Sequence, residues 1–207
     1  MRSLPMAIGA VALVTAGLLA ARAVAQPEEP AARFDAEGHM LFPADYREWV
    51  FVTTGHGMSY NPQANAQADP PFDNVFVNRT AYRSFLQNGT WPDGTVLVLE
   101  IRGGTSHGSI LRGGSFQQGA AMGIEVHTKD TARFGGDGWA FFGFSPQGQP
   151  ATMIPREANC YTCHEANTAV DRTFVQFYPT LLPIAREKGT LTPAFVTAET
   201  AERAAAN

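Results

Sequence analysis

Five segments of the chain carry the apolar pattern of β-strands, and Gly, Pro, Asn or Asp residues separate them. They are residues 47–54, 72–78, 95–101, 120–127 and 138–145. The clearest is "TVLVLEI" at 95–101, which follows a "WPDG" turn and is almost entirely apolar. These segments predict a β-sheet built from the central part of the chain.

Helical patterns are shorter and lie mainly after the strands. Residues 79–89 predict a helix, because Asn78 can cap its start and Gly89 can end it. Residues 128–134 predict a helical turn. A further segment has apolar residues at helical spacing and two prolines that should divide it, namely Phe174, Phe177, Tyr178, Leu181, Pro179 and Pro183. Strands followed by helices indicate an α+β fold, with a mostly antiparallel sheet and flanking helices.

The chain has 207 residues, 44% of them hydrophobic, which is enough for one well-packed domain. We expect that domain at residues 34–191. A polar leader at 26–33 should precede it. The Ala-rich segment 192–207 lacks a strong apolar stripe and is expected to be a flexible tail, as a frayed helix or as disordered chain.

Residues 1–25 have the pattern of a secretory signal peptide. Arg2 precedes an apolar run, and the small-residue site Ala23-Val24-Ala25 predicts cleavage before Gln26. An uncleaved membrane anchor is the alternative, although the run is near the lower length limit for spanning a bilayer. The signal predicts export to the periplasm, which is an oxidising compartment.

The charge of the mature chain argues against nucleic-acid binding. Without residues 1–25 the chain keeps 13 basic and 19 acidic residues, a formal net charge of −6. Phosphate backbones require clustered Lys and Arg side chains. We therefore expect no nucleic-acid partner.

Both cysteines of the chain lie in the motif Cys160-Tyr-Thr-Cys163-His164. Cys-x-x-Cys-His is the attachment signature of c-type haem: two thiols add to the porphyrin vinyl groups, and the adjacent histidine binds iron. A thioredoxin-like pair would need a βαβ context, which is absent before Cys160, and a zinc site would need two more ligands from scattered histidines. A plain disulfide would not require His164. We therefore predict one haem, held covalently through two thioethers near the C-terminus.

The remaining motifs resemble the cytochrome P-460 family. "FPADYREWVFVTTG", "WPDGTVLVLE", "GIEVHTKDTARF", "GWAFFGF" and "CYTCHEANTAVDRTFVQFYPTL" occur in the family's order, and the resemblance covers most of residues 37–185. It implies a mostly antiparallel sheet, one c-type haem with a five-coordinate iron, and a homodimer. Enzymatic members oxidise hydroxylamine, whereas the related cytochromes c′-beta bind nitric oxide without that activity.

The resemblance also implies roles for single residues. Cys160 and Cys163 match the thioether cysteines, and His164 matches the proximal ligand. Leu99 occupies the position of a lysine that bonds to the haem ring in enzymatic members. Glu125 matches a distal carboxylate that moves protons.

The lysine inventory indicates that the ring cross-link is absent here. The chain has two lysines, Lys129 and Lys188, and neither lies in "TVLVLEI". Leu99 has no nucleophilic nitrogen, so the predicted link between protein and haem consists of the thioethers alone.

Other residues are candidates for the distal pocket. His127 shares a strand face with Glu125 and could lie near the iron or be exposed at the strand end. Phe72, which follows two prolines at the start of a strand, is a candidate aromatic cap. A sixth iron ligand could come from Met58, Met122 or Met153.

Three functions are compatible with these features. The first is a periplasmic five-coordinate haem protein that binds nitric oxide or a related small nitrogen ligand. The second is an enzyme that oxidises hydroxylamine or reacts with peroxide and uses Glu125 as a proton relay. The third is a low-spin electron-transfer cytochrome. A redox partner protein is compatible with each.

Overall fold

The computed structural model of the protein describes residues 30–61 and 68–206. The predicted signal peptide and residues 26–29 of the polar leader lie outside the described residues. None of the helices within the two described ranges is long and apolar enough to cross a membrane.

Five antiparallel strands form one sheet, in which the spatial order of the strands equals their order in the chain. The strands are β1 (Val50–His56), β2 (Phe72–Val77), β3 (Val96–Thr105), β4 (Phe116–Lys129) and β5 (Trp139–Phe144). This antiparallel sheet with flanking helices confirms the predicted α+β class.

The strand boundaries differ from the predicted ones in two places. β1 begins at Val50 rather than at 47, because Tyr46–Glu48 form a 3-10 turn. β3 continues to Thr105 and β4 already begins at Phe116, so the two strands extend beyond the predicted segments as a long two-stranded ribbon. On β4, residues 116–120 are all exposed, so this part of the ribbon has no buried face and its sequence has no apolar alternation.

Within the described residues, five α-helices flank the sheet. They are α1 (Arg79–Asn88), α2 (Thr131–Phe134), α3 (Asn159–Asn167), α4 (Leu182–Lys188) and α5 (Pro193–Ala205). All but the short α2, whose Phe134 packs in the core on the other face, lie on one side. α1 ends at Gly89, whose φ of 73° is the left-handed conformation that glycine adopts without strain. The segment with Phe174 and Leu181 is indeed divided, into a 3-10 turn at Val175–Phe177 and α4.

The C-terminal segment, for which the sequence allowed a frayed helix or disordered chain, forms the helix α5. Thr192 caps this helix by accepting a hydrogen bond from the Phe195 backbone N–H. Phe195 packs against the helix-side core, and Glu199 forms an ion pair with Arg186 of α4. These tertiary contacts order a segment whose own apolar stripe is weak.

Two hydrophobic cores lie on opposite faces of the sheet. The helix-side core is formed mainly by Val77, Phe85, Trp91, Leu97, Trp139, Val170, Val175 and Leu181. Residues 31–49 cover the other face, where the core includes Met40, Tyr46, Val98, Val126 and Phe142. The candidate haem site lies on the helix side.

Candidate functional site

A cavity of about 540 Å³ lies between the helix-side face of the sheet and the segment that follows α3. Every strand contributes to its walls. Its lining includes Thr53, Gly55, Met58, Tyr60, Asp73, Val75, Leu97, Leu99, Glu125, His127, Phe141, His164, Thr173, Phe174, Phe177 and Tyr178. A cavity of this size with mostly apolar walls and a few polar groups suits a large flat cofactor.

The helix α3 places the three motif residues on one of its faces. Cys160, Cys163 and His164 are separated by three and four positions, and such positions are neighbours on a helix surface. Both thiols are free and partly buried. The predicted attachment residues therefore lie together, with the imidazole of His164 in the cavity wall.

The imidazole of His164 is oriented by a backbone carbonyl. Its Nδ1 lies 2.7 Å from the carbonyl oxygen of Arg172, and because a carbonyl only accepts, Nδ1 carries the proton. Nε2 is then the nitrogen with a free lone pair, which is the state that a metal requires. Burial lowers the pKa of His164, which also favours the neutral ring.

The carbonyl of Arg172 is held in place by a turn in an uncommon conformation. Asp171 and Arg172 have φ values of 44° and 62°, although neither is a glycine. The carboxylate of Asp171 accepts hydrogen bonds from Lys129 Nζ at 2.7 Å and from Trp139 Nε1 at 3.1 Å. The sheet therefore fixes the turn that orients the histidine of α3.

His127 lies beside His164. The two ring centroids are 4.9 Å apart in an edge-to-face arrangement, and His127 also stacks on Phe141 at 4.0 Å. Rings in such direct contact leave no room for a porphyrin between them. His127 therefore packs beside the predicted iron ligand, and no second histidine lies opposite His164 among the described lining residues.

His127 is also the one residue in the described ranges with a buried side-chain polar atom that lacks a hydrogen-bond partner, and that atom is Nε2. The side chain is 8% exposed, and burial holds its pKa well below the usual histidine value. A buried polar group without a partner is costly. Its presence in this wall fits a cavity that accommodates a further group.

The strand register arranges the sheet side of the cavity in rows. Leu97 pairs with His127, Leu99 pairs with both Val75 and Glu125, and Ile101 pairs with Asp73 on β2. Rows two residues apart are separated by about 6.7 Å along a strand. Leu99 and Glu125 thus lie one row beyond His127, and both line the cavity as the sequence suggested.

Neither lysine lines the cavity. Lys129 Nζ donates hydrogen bonds to the Trp91 carbonyl and to Asp171, and Lys188 forms an ion pair with Glu187 at the end of α4. The cavity wall at Leu99 therefore offers no lysine nitrogen to a porphyrin.

Phe72 requires a correction, because it does not line the cavity. Its side chain points to the other face of β2 and stacks on His56 with ring centroids 4.2 Å apart. Side chains alternate along a strand, so its neighbour Asp73 faces the cavity instead. Of the three methionines considered as ligands, Met58 lines the cavity and Met122 and Met153 do not.

Several lining residues had no signal in the sequence. Asp73, Thr53 and Tyr178 reach the cavity through strand register and chain path, neither of which local periodicity records. The aromatic wall around His164 is formed by Phe141 and Phe174, with ring centroids 4.7 Å and 4.6 Å from it.

The donor set fits a c-type haem. Two free thiols and one neutral imidazole lie on a single helix face, beside a cavity whose walls are mainly apolar and aromatic. Cys160, Cys163 and His164 are the residues that would hold the cofactor.

Comparison with known proteins agrees with this assignment. A family model described as cytochrome P460 matches residues 43–175, which is more than half of the chain. A search of curated proteins found no match. The matched range contains all three motif residues, all five strands and most of the cavity lining. The chain therefore belongs to the cytochrome P460 family and is a haem cytochrome.

Proposed function

We propose that the protein is an exported mono-haem c-type cytochrome with a five-coordinate iron, which binds nitric oxide or a related small nitrogen ligand. The observation that carries this proposal is the arrangement of the imidazoles. His164 has a free Nε2, and His127 lies beside it rather than opposite. The cavity therefore offers iron one histidine ligand and leaves the other side for a small molecule.

A bound haem would supply an iron that binds the ligand, and the protein controls access and polarity. The Arg172 carbonyl holds His164, while Leu99 and Val75 give the sheet wall one row beyond His127 an apolar surface. Met58, Tyr60 and Phe177 are exposed at the edge of the cavity, where a ligand would enter. A neutral diatomic molecule requires no charged group in such a wall.

Covalent attachment is the first prediction to test. Thioether bonds through Cys160 and Cys163 survive acid and organic solvent, so acid-acetone extraction should leave the haem on the denatured chain. Cys160→Ser and Cys163→Ser together should release it, whereas His164→Ala should retain attachment and alter the spin state. Complete loss of haem from the wild-type chain would refute the assignment.

Absence of a lysine cross-link is the second prediction. Lys129 and Lys188 are engaged elsewhere and Leu99 cannot form the bond. The intact mass should equal the mature chain plus one haem. A tryptic haem peptide should contain residues of α3 and no peptide from β3. A haem peptide that includes Leu99, Lys129 or Lys188 would contradict the prediction.

A hydroxylamine-oxidising or peroxide-reacting enzyme is the second candidate, and Glu125 favours it. Partial burial, together with the nearby charge of Asp73, raises the pKa of Glu125, so that this group could exchange protons nearer neutral pH. A turnover assay with hydroxylamine and an electron acceptor separates this candidate from ligand binding alone. Without the cross-link, we expect turnover to be weak or zero.

A low-spin electron carrier is the third candidate, and Met58 is the observation in its favour. Its thioether lies against Gly55 in the cavity wall and could provide a sixth ligand. Optical spectra of the oxidised and reduced protein distinguish the cases. A high-spin spectrum supports the five-coordinate proposal, and a low-spin spectrum that Met58→Ala converts to high-spin would support the carrier.

We also propose a periplasmic location and a homodimeric state, and a redox partner protein is compatible with either haem chemistry. The signal-like residues 1–25 support export, and the family resemblance supports the dimer. Cell fractionation and light scattering of the purified holoprotein test the two proposals separately.

A further inference from the structure

Asp73 is a second carboxyl group in the cavity, and the proposed function has not used it. It lies on β2, pairs in register with Gly55 of β1 and Ile101 of β3, and lines the cavity together with Glu125. Ile101 is four residues beyond Leu97 on β3. Asp73 is therefore about 13 Å further along the strands than the row that contacts His164.

Neither carboxyl group has a partner within the described residues. No hydrogen bond or ion pair there involves the side chain of Asp73 or Glu125, whereas Glu100 on the other face of the same sheet has several. Asp73 is half-buried and Glu125 is exposed, and both line the cavity. Because no described residue engages them, both carboxyl groups are available to contact a ligand in the cavity.

The electrostatic surroundings of the pair are negative. Among the described lining residues there is no Lys or Arg, and the other titratable groups are Tyr60, His127, His164 and Tyr178. Burial keeps both imidazoles neutral and both phenols protonated. Among the described side chains that line the cavity, these two carboxyl groups are therefore the ones that can carry a negative charge near neutral pH.

We propose that Asp73 is a specificity-determining residue: with Glu125 it forms a carboxyl pair at the end of the cavity away from His164. The pair accepts neutral or cationic nitrogen ligands that donate hydrogen bonds and repels anionic ligands. This inference rests on the proposed function, since it concerns ligands of an iron bound by His164.

The pair also gives ligand selection a pH dependence. Burial raises the pKa of Asp73, and burial and the charge of Asp73 raise that of Glu125. Interacting carboxyl groups lose their protons in two steps that belong to the pair. As pH rises through these steps the cavity becomes more negative, so affinity for an anion falls and affinity for a hydrogen-bond donor is retained.

The test compares three probes on the holoprotein: azide as the anion, hydroxylamine as the donor and nitric oxide as the neutral diatomic. Dissociation constants are measured from the Soret shift at a series of pH values that runs from the ordinary carboxyl pKa upward, because both carboxyl pKa values are raised. The variants are Asp73→Asn, Asp73→Glu and Glu125→Gln. The control is Asp45→Asn, which removes an exposed charge on the other face of the sheet.

At neutral pH we expect Asp73→Asn to bind azide about fivefold more tightly and hydroxylamine more weakly, with nitric oxide affinity within about twofold of wild type. The pH dependence of azide binding should flatten. Asp73→Glu should behave like wild type because it keeps the charge, and Asp45→Asn should change nothing. Circular dichroism of each variant verifies that the fold is intact, and Asp73→Ser replaces Asp73→Asn if that variant misfolds.

Equal azide affinity and equal pH profiles in Asp73→Asn, its Ser substitute and wild type would overturn the inference alone. A wild-type protein that binds none of the three probes would overturn the proposed function, and this inference with it. The two failures are therefore distinguishable in one titration series.

Discussion

Glu100 is a buried carboxylate that acts as a structural tie between elements. It is 1% exposed on the face of the sheet opposite the cavity. Arg102 Nε donates to it at 2.7 Å and Asn74 Nδ2 at 3.2 Å, and Tyr46 and Arg47 also donate to it. These bonds hold the turn at Tyr46–Glu48 and strand β2 to strand β3.

We expect Glu100→Gln to lower the free energy of unfolding by about 3 kcal/mol, because it leaves buried donors and Arg102 without their charged partner. Urea unfolding of the holoprotein at pH 7 measures the loss. Glu157→Gln is the matched control, since Glu157 is exposed and its change should stay within about 0.5 kcal/mol. A loss of similar size in both variants would contradict the role of Glu100 as a structural tie.

The same residue gives stability a pH dependence of definite sign. Burial would raise the pKa of Glu100, but hydrogen bonds from Arg102 and Tyr46 outweigh it, so the folded pKa lies below the ordinary glutamate value. Its contribution is therefore fully present above the unfolded pKa and is lost as pH falls through the folded one. Wild type should lose this part of its stability in acid, and Glu100→Gln should show a correspondingly shallower acid dependence.

At the scale of elements, α5 shows how tertiary contacts order a weakly patterned segment. The hydroxyl of Thr192 donates to the carbonyl of Thr168 at 2.8 Å and accepts from the Phe195 N–H at 3.3 Å. It thereby ties the start of α5 to the end of α3, which carries His164.

We expect Thr192→Ala to cost about 1–2 kcal/mol of unfolding free energy, since it removes a helix cap and a bond between two helices. Thr197→Ala is the control within α5. Thr197 Oγ1 donates to the carbonyl of Pro193, and alanine has a higher helix propensity than threonine, so this change should be neutral or slightly stabilising. Thermal unfolding monitored at 222 nm provides the comparison, and equal melting points for the two variants would contradict it.

The elements that were predicted correctly are those whose apolar pattern reflects burial. β3 and β5 are nearly continuous apolar runs because both of their faces are covered. In the ribbon formed by residues 102–105 and 116–120, the β4 residues are exposed and pair through ladder hydrogen bonds, which no apolar pattern records.

The position of a lining residue can be inferred from the sequence where a short motif fixes it, but not where strand register decides it. Cys160, Cys163 and His164 have a fixed chemical spacing, so one segment of sequence suffices to find them. Phe72 and Asp73 differ by one position, and a one-residue difference moves a side chain to the opposite face. Which side chains of a strand point into the cavity depends on how the whole sheet is assembled. The sequence analysis therefore chose Phe72, which lies on the other face, and overlooked Asp73.

At the scale of the whole molecule, a single carboxylate connects the sheet to the haem helix. Asp171 accepts from Lys129 at the end of β4 and from Trp139 at the start of β5. The next residue, Arg172, presents its carbonyl to His164 and forms an ion pair with Asp137. The orientation of the His164 imidazole thus depends on contacts between the Asp171–Arg172 turn and residues of the sheet or next to it.

We expect Asp171→Asn to weaken this connection, because an uncharged amide binds the Lys129 ammonium less strongly and must also satisfy Trp139. The left-handed turn at Asp171 and Arg172 would then hold the Arg172 carbonyl less firmly. The hydrogen bond from His164 Nδ1–H to that carbonyl would lengthen as a result. A weaker bond to Nδ1 makes the imidazole a poorer electron donor. The iron–histidine stretching frequency of the ferrous holoprotein should fall, and the reduction potential should rise.

Asp93→Asn is the matched control: Asp93 accepts from the Thr131 N–H in a turn that does not contact His164. It should lose a comparable amount of stability without a spectroscopic change. If both variants shift the frequency equally, or neither does, Asp171 contributes to stability only and does not position the histidine.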